Sequence, residues 1–99
     1  MFENNFVINW EVARKNMQAH EKKMEKLRRK YIKQLCKDIN RESKNGNKMI
    51  FTKTLKENFM TYEFMMELKE YFEKLGFTVA EKGFSSFGLL PFLEIRWDD

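Results

Sequence analysis

Cationic side chains are concentrated in one segment of this 99-residue chain. Residues 21 to 48 contain eleven lysines and arginines and only four acidic residues. Six of these cations fall at spacings that bring most of them to one side of a helix, and we call them the basic row: Lys22, Lys23, Lys26, Arg29, Lys30 and Lys33. Repeated cations along one line can bind a phosphate backbone, because binding releases its condensed counterions. The basic row is therefore a candidate site for nucleic acid or for an acidic protein surface.

The basic row can equally be the solvated face of a helix. Glu25 precedes Arg29 by four residues, so these two side chains can neutralise each other within the helix. The sequence contains no helix-turn-helix, zinc-finger or RNP motif that would read bases. Any nucleic-acid binding should therefore be independent of sequence, since phosphate contacts position a protein without specifying bases. We favour the solvated face, with some electrostatic steering of a partner.

Residues that could act in catalysis are few and far apart. Cys36 is the only cysteine and His20 the only histidine, and sixteen residues of one helix, more than about four turns, would separate them. The lone cysteine excludes an intrachain disulfide and a cysteine metal cluster. Cys36 is predicted to be a buried, inert thiol, because activation needs an exposed electropositive site. We expect no enzyme activity, no catalytic residue, no metal and no cofactor.

The sequence has no segment typical of secretion or membrane insertion. Its first ten residues, MFENNFVINW, lack the basic and then apolar regions of a signal peptide. No apolar run approaches the ~20 residues that span a bilayer. We therefore expect a cytoplasmic protein that does not bind a membrane.

One long basic helix is predicted over residues 9 to 44. Asn9 is a good N-cap, no Gly or Pro interrupts the sequence up to Ser43, and Asn45 with Gly46 supplies the stop. Such a helix is about 50 Å long at ~1.5 Å per residue. A compact domain of this size has a radius of gyration near ~13 Å. The rest of the chain cannot cover that length, so the helix must break or project.

Apolar residues along the predicted helix alternate in steps of three and four, which is a heptad spacing typical of helix pairing. This heptad stripe consists of Trp10, Ala13, Met17, His20, Met24, Leu27 and Tyr31. Its larger members are predicted to form an oligomer interface, with packing inside the chain as the alternative: Trp10, Met17, Met24 and Tyr31. After Tyr31 the spacing becomes that of a helix packed on a globular core, with Ile32, Leu35, Cys36 and Ile39 on one face. We therefore expect the N-terminal half to project or dimerise and the C-terminal half to join the core.

The remaining sequence predicts an α+β fold in which a two-layer β-α-β-β unit, residues 48 to 99, follows the long helix. Residues 48–55 are β-branched and aromatic enough for a strand. Residues 1–8 are predicted to be an extended terminal stretch or a short strand. The next helix should begin at Thr61, or earlier at Thr54 with Glu57 in a capping box, and end at Gly76, with Leu75 on its buried face. Residues 77–82 and 92–97 are predicted strands. We expect the whole chain, residues 1–99, to be a single domain.

The loop GFSSFGLLPFL, residues 83 to 93, is unusually apolar for a connection between two strands. An apolar loop either folds back as a lid on the core or is reserved for a partner. The residues predicted to bind a partner protein are Phe84, Phe87, Leu89 and Leu90.

The run ELKEYFEKLGFTVAEKG followed by FLEIRW, within residues 61 to 97, resembles the endings of small proteins encoded by phages of low-GC hosts. The resemblance implies a binder of a host protein or a small virion or replication component, and it assigns no functional residue. Our first hypothesis is a non-enzymatic protein that docks on a host macromolecule and inhibits it. The alternatives are a sequence-nonspecific nucleic-acid-binding protein and an assembly protein that forms homo-oligomers through the long helix.

Overall fold

A computed structural model describes residues 8–83 and 90–98 of the chain. Its two helices are α1, Trp10–Lys44, and α2, Tyr62–Lys74. Its strands are β1, Met49–Phe51, β2, Thr78–Lys82, and β3, Phe92–Arg96. The predicted α+β fold, with a long N-terminal helix ahead of a β-α-β-β unit, is confirmed.

Helix α1 begins and ends where its sequence signals predict. The Asn9 side chain accepts a hydrogen bond from the Val12 N–H at 2.9 Å, which satisfies one of the free donors of the first turn. At the other end Gly46 has φ +85°, and the Asn47 N–H donates to the Glu42 carbonyl at 2.9 Å. The chain therefore leaves the helix in the left-handed turn that a glycine permits.

Helix α2 carries the same kind of signals. The Thr61 hydroxyl accepts a hydrogen bond from the Phe64 N–H at 3.1 Å, as predicted for its N-cap. At the C-terminus the Phe77 N–H donates to the Phe72 carbonyl at 3.0 Å, and the two rings lie 5.7 Å apart. This pairing of backbone bond and apolar contact is a Schellman motif. The prediction that Leu75 is buried was wrong: it is 57% exposed, because the helix has already ended there.

The sheet is antiparallel, with strand order β1-β3-β2. Ile95 of the central strand pairs with Ile50 on one side and Val79 on the other. The strand predicted over residues 48–55 is shorter than expected. Beyond its end, Thr52 continues the pairing to Leu93 through its backbone N–H and its hydroxyl, each at 2.9 Å.

Both helices cover the same face of the sheet, α1 against β1 and α2 against β2 and β3. The buried apolar core comprises Met24, Tyr31, Leu35, Phe59, Met60, Phe64, Met65, Leu68, Phe72, Val79, Leu93 and Ile95. The molecule measures 66 × 30 × 21 Å, and its radius of gyration is 18.4 Å. That radius exceeds the ~13 Å of a compact domain of this length. The projecting helix expected from the sequence therefore exists.

Tyr31 and Arg28 bind α1 to the segment between β1 and α2 through hydrogen bonds to Lys53 and Phe59. The Tyr31 hydroxyl accepts a hydrogen bond from the Lys53 N–H at 2.7 Å, and its ring lies 5.3 Å from that of Phe59. Arg28 donates from Nε to the Phe59 carbonyl at 3.1 Å. Burial raises the pKa of the Tyr31 hydroxyl, although the hydrogen bond from Lys53 opposes this.

The C-terminal half of α1 belongs to the core as predicted, with one exception. Leu35 is 2% exposed, and Ile32 and Ile39 are partly buried against the core. Cys36, which we predicted to be buried, is exposed. Cys36 lies about 100° further round the helix axis than Leu35, and the core covers the side that carries Leu35.

Candidate docking site on the long helix

The heptad stripe divides into a buried half and an exposed half. Met24 and Tyr31 are 4% and 8% exposed and lie in the core of their own chain. Trp10 and Met17 are 70% and 58% exposed. The predicted oligomer interface is therefore wrong for Met24 and Tyr31, because residues of the same chain already cover them. Only the exposed half remains available to a partner.

Every residue of α1 from 10 to 23 is exposed, and we call this segment the arm. Trp10, Ala13 and Met17 are spaced by three and four residues, and Met24 follows seven residues later. At 3.6 residues per turn these side chains lie close to one line along the helix. The arm therefore extends the core-facing side of α1 beyond the core that would cover it.

The apolar side of the arm is also indented. A shallow, open groove on this side is lined by Trp10, Ala13, Arg14, Met17 and Gln18. The Arg14 guanidinium lies over the Trp10 ring, 5.1 Å from its centroid, which is within range of a cation–π contact. Such a groove, with a small residue between two large ones, can receive an apolar side chain of another helix.

Most of the basic row lies on the opposite side of α1, whereas Lys23 and Lys30 lie at the flank, each about 100° from the neighbouring Met24 or Tyr31. Lys22, Lys26 and Lys33 are exposed, and about half a turn separates them from Tyr31 and Leu35. Arg29 pairs with Glu25 at 2.6 Å, as the sequence predicts. The other five cations of the basic row have no ion-pair partner among residues 8–83 and 90–98.

Two further lysines extend this charged side. Lys15 lies seven residues before Lys22, Lys37 lies four after Lys33, and both are exposed. From Lys15 to Lys37 the side spans about 33 Å at 1.5 Å per residue. The sequence identified the central cations, and the uninterrupted helix now places them in one extended face.

Little of the predicted contact loop falls within the described residues. Leu90 is 46% exposed, whereas Phe84, Phe87 and Leu89 lie outside the residues that the structure describes. At the base of the loop Gly83 has φ +74°, and a Cβ there would lie 2.9 Å from the Leu90 carbonyl oxygen. A glycine is therefore needed where the loop closes, and the role of its apolar tip stays a prediction.

The face of the sheet turned away from the helices carries an ion network that we did not predict. Glu94 is only 8% exposed and accepts a hydrogen bond from Arg96 at 2.9 Å, with Lys82 at 3.8 Å. Arg96 also binds Asp98 at 2.7 Å, and this hydrogen bond lowers the pKa of the Asp98 carboxyl. Beside the network, Phe51 meets the edge of Phe92 with ring centroids 5.6 Å apart. The alternation of acid, base and acid at every second residue was the signal for this network.

The structure keeps His20 and Cys36 apart. His20 lies on the arm and Cys36 sixteen residues further along the same uninterrupted helix, both exposed. Residues 8–83 and 90–98 contain no group of three His, Cys, Asp or Glu side chains arranged to hold a metal ion. Within those same ranges no helix has the length and apolar character to cross a membrane.

Comparisons with known protein families, with curated proteins and with solved structures found no match to this chain. By its fold this chain is an α+β protein. The side of its long helix that faces the core continues into an exposed arm.

Proposed function

We propose that this is a non-enzymatic binding protein that docks on another protein through the apolar side of its arm. The observation that carries the proposal is the exposure of Trp10 and Met17 in line with the buried Met24. Tryptophan is enriched at the energetic centres of protein interfaces, and methionine adapts to varied surfaces. The chain's own core covers the heptad stripe at Met24 and Tyr31 but leaves it exposed at Trp10 and Met17. This favours a protein partner that covers the exposed part.

The stability of the arm supports the same conclusion. The arm is a 14-residue segment at the end of α1 whose residues are all exposed, and most helical stability in proteins comes from tertiary packing of an apolar face. A partner that covers Trp10 and Met17 would stabilise the arm as well as bind it. Under this proposal the partner is a host protein in the cytoplasm, the protein comes from a phage, and docking inhibits the partner.

Site-specific photo-crosslinking tests this proposal. Benzoylphenylalanine would replace Met17 on the apolar side or Ala19 on the other side of the arm, in cells that express the full chain. We expect a discrete protein adduct from position 17 and much less from position 19. Equal yields at the two positions, or no adduct from either, would contradict docking through the arm.

The predicted loop contact has its own test within the proposal. Phe87→Asp should weaken binding if the loop adds to the docking surface, while circular dichroism should show an unchanged fold. If Phe87→Asp binds as well as the natural chain, the arm alone forms the contact.

A second function, sequence-nonspecific binding of nucleic acid, is favoured by the five cations of the basic row that lack a partner among the described residues. We would titrate the protein against labelled duplex and single-stranded oligonucleotides at ~50 and ~200 mM salt. Neutralising about six phosphates should cost on the order of a thousandfold in affinity across that range. Lys26→Glu with Lys30→Glu should abolish binding. Absence of binding at the lower salt concentration would remove this function.

A further inference from the structure

We infer that the side of α1 opposite the heptad stripe binds duplex nucleic acid, through a line of lysines that contact backbone phosphates. This inference rests on the second function proposed above, since it names the form of nucleic acid and the residues that hold it. From Lys15 to Lys44, nine positions recur at steps of three or four residues and lie within about 40° of one line along the helix. We call these positions the basic strip. Six of them are lysines: Lys15, Lys22, Lys26, Lys33, Lys37 and Lys44.

The rest of the basic strip contains no acidic residue. Its other three positions are Arg29, Ala19 and Asn40. The four acidic residues of α1 between Lys15 and Lys44 all lie at least about 80° away from the line of the strip; they are Glu21, Glu25, Asp38 and Glu42. A solvated helix face is stabilised by opposite charges one turn apart and destabilised by like charges at that spacing. The strip therefore stabilises α1 less than a mixed face would, and a polyanion that neutralises it would offset the repulsion.

The six lysines of the strip are available to bind a polyanion. All are exposed, and none has an ion-pair partner within residues 8–83 and 90–98. Arg29, by contrast, pairs with Glu25 at 2.6 Å. The lysines span about 44 Å at ~1.5 Å per residue. A DNA duplex carries one negative charge per ~1.7 Å of its axis, so it presents roughly 26 phosphates over that length.

The composition of the strip favours phosphates over a protein surface. Protein interfaces are organised around buried aromatic or arginine anchors, and lysine is depleted in them. The strip has six lysines, and its only apolar residue is Ala19. Phosphate binding needs no apolar anchor, because the affinity comes from the release of condensed counterions.

Two features of the strip favour a duplex over a single strand. The strip has no aromatic residue, whereas proteins that bind single strands stack successive bases on aromatic side chains. In addition, α1 is an uninterrupted helix of 35 residues, so its lysines form a stiff, straight line. A duplex is straight over the same length, since its persistence length is about 150 base pairs. A flexible single strand would have to be straightened, at a cost in entropy.

Binding through the strip leaves the apolar side of the arm uncovered. Trp10 and Met17 lie about 140° and 160° round the helix from the line of the strip. A protein docked on the arm and a duplex bound to the strip therefore do not compete for the same surface. A partner that docks on the arm would be held beside the nucleic acid.

Fluorescence anisotropy tests the preference for a duplex. The full chain would be titrated against two labelled DNA duplexes of unrelated sequence, each of roughly 30 base pairs or about 100 Å, and against their separate strands. The two duplexes should bind within about threefold of each other, because phosphate contacts carry no sequence information. Each should bind at least about tenfold more tightly than its strands, and six contacts should give a slope of log affinity against log salt of about −5. Equal affinity for the single strands, or a large preference for one duplex sequence, would overturn the inference.

A matched pair of variants tests the location of the site. Lys37→Gln removes one charge from the strip, and Lys56→Gln removes one from an exposed position outside α1. Lys37→Gln should weaken binding to both duplexes alike and make the salt slope shallower by about 1, whereas Lys56→Gln should leave the slope unchanged. Met17→Ala, on the apolar side, should leave duplex affinity unchanged. Equal effects of the two lysine variants, or a loss of affinity in Met17→Ala, would overturn the assignment to the strip.

Failure of this inference can be distinguished from failure of the proposed function. If single strands bind as tightly as duplexes, the protein binds nucleic acid but does not select a duplex. If neither form binds at ~50 mM salt, the second function and this inference are both wrong. Docking of a protein on the arm is tested separately by crosslinking from position 17.

Discussion

The two ends of the heptad stripe on α1 have the same spacing and differ in what covers them. In the C-terminal half, Tyr31 and Leu35 are buried against the sheet and the segment before α2. In the arm, Trp10 and Met17 occupy equivalent positions and are exposed. The spacing specifies which side chains share a side of the helix. The length of the core decides which of them a single chain can bury.

The largest expected effect comes from replacing the same residue type, methionine, at a buried and at an exposed position of the heptad stripe. Met24→Ala should lower the free energy of unfolding by about 2 to 5 kcal/mol, because it leaves a cavity in the core. Met17→Ala should change it by less than about 0.5 kcal/mol, because an exposed side chain loses few contacts. Urea denaturation at low protein concentration measures both. Similar losses would mean that the arm is covered within its own chain.

How far the sequence could predict this architecture depends on the range of each signal. The caps at Asn9, Thr61 and Gly76 act over one turn of helix, and the structure has all three as predicted. Burial of Met24 and exposure of Cys36 depend on where distant residues of the chain come to lie. Periodicity contains no such information, so the predictions failed at those two positions and at Tyr31, which is buried as well.

The candidate site shows the same division. The sequence identified the basic row and the heptad stripe, because both are patterns along one helix. It could not show that Met24 marks the boundary between the buried and exposed halves of the stripe. The ion network of Glu94, Arg96 and Asp98 was missed for a related reason. The alternation of acid and base at every second residue indicates that they share a face, but only the structure shows that these side chains reach one another.

A second test removes the hydrogen bond between the Tyr31 hydroxyl of α1 and the Lys53 N–H. Tyr31→Phe keeps the ring packed but leaves the Lys53 N–H without its acceptor. Because that donor is part-buried, the loss should lower the free energy of unfolding by about 1 to 2 kcal/mol. Tyr71→Phe, at a side chain that is 44% exposed, serves as the control and should cost less than about 0.5 kcal/mol. Equal effects would show that the hydroxyl of Tyr31 does not hold the helix in place.

The pH dependence of stability sharpens this test. Burial raises the pKa of Tyr31 in the folded protein above its ordinary value of about 10. Its contribution is therefore fully present below about pH 10 and is lost as the pH rises through the higher pKa of the folded state. The difference in stability between the natural chain and Tyr31→Phe should shrink over that range. A constant difference up to the highest pH at which the protein stays folded would contradict an effect of Tyr31 ionisation.

The smallest expected effect concerns the two N-caps. Thr61→Ala removes the cap of α2, which is packed on the core, and should lower the free energy of unfolding by about 1 kcal/mol. Asn9→Ala removes a cap of the same kind from the arm. Fraying of the first turns there breaks no core contact, so global stability should change by only a few tenths of a kcal/mol. Amide exchange should instead become faster in residues 10 to 20 and stay unchanged in the C-terminal half of α1. A full loss of about 1 kcal/mol with Asn9→Ala would show that the arm unfolds together with the core, and the two halves of α1 would then be one cooperative unit.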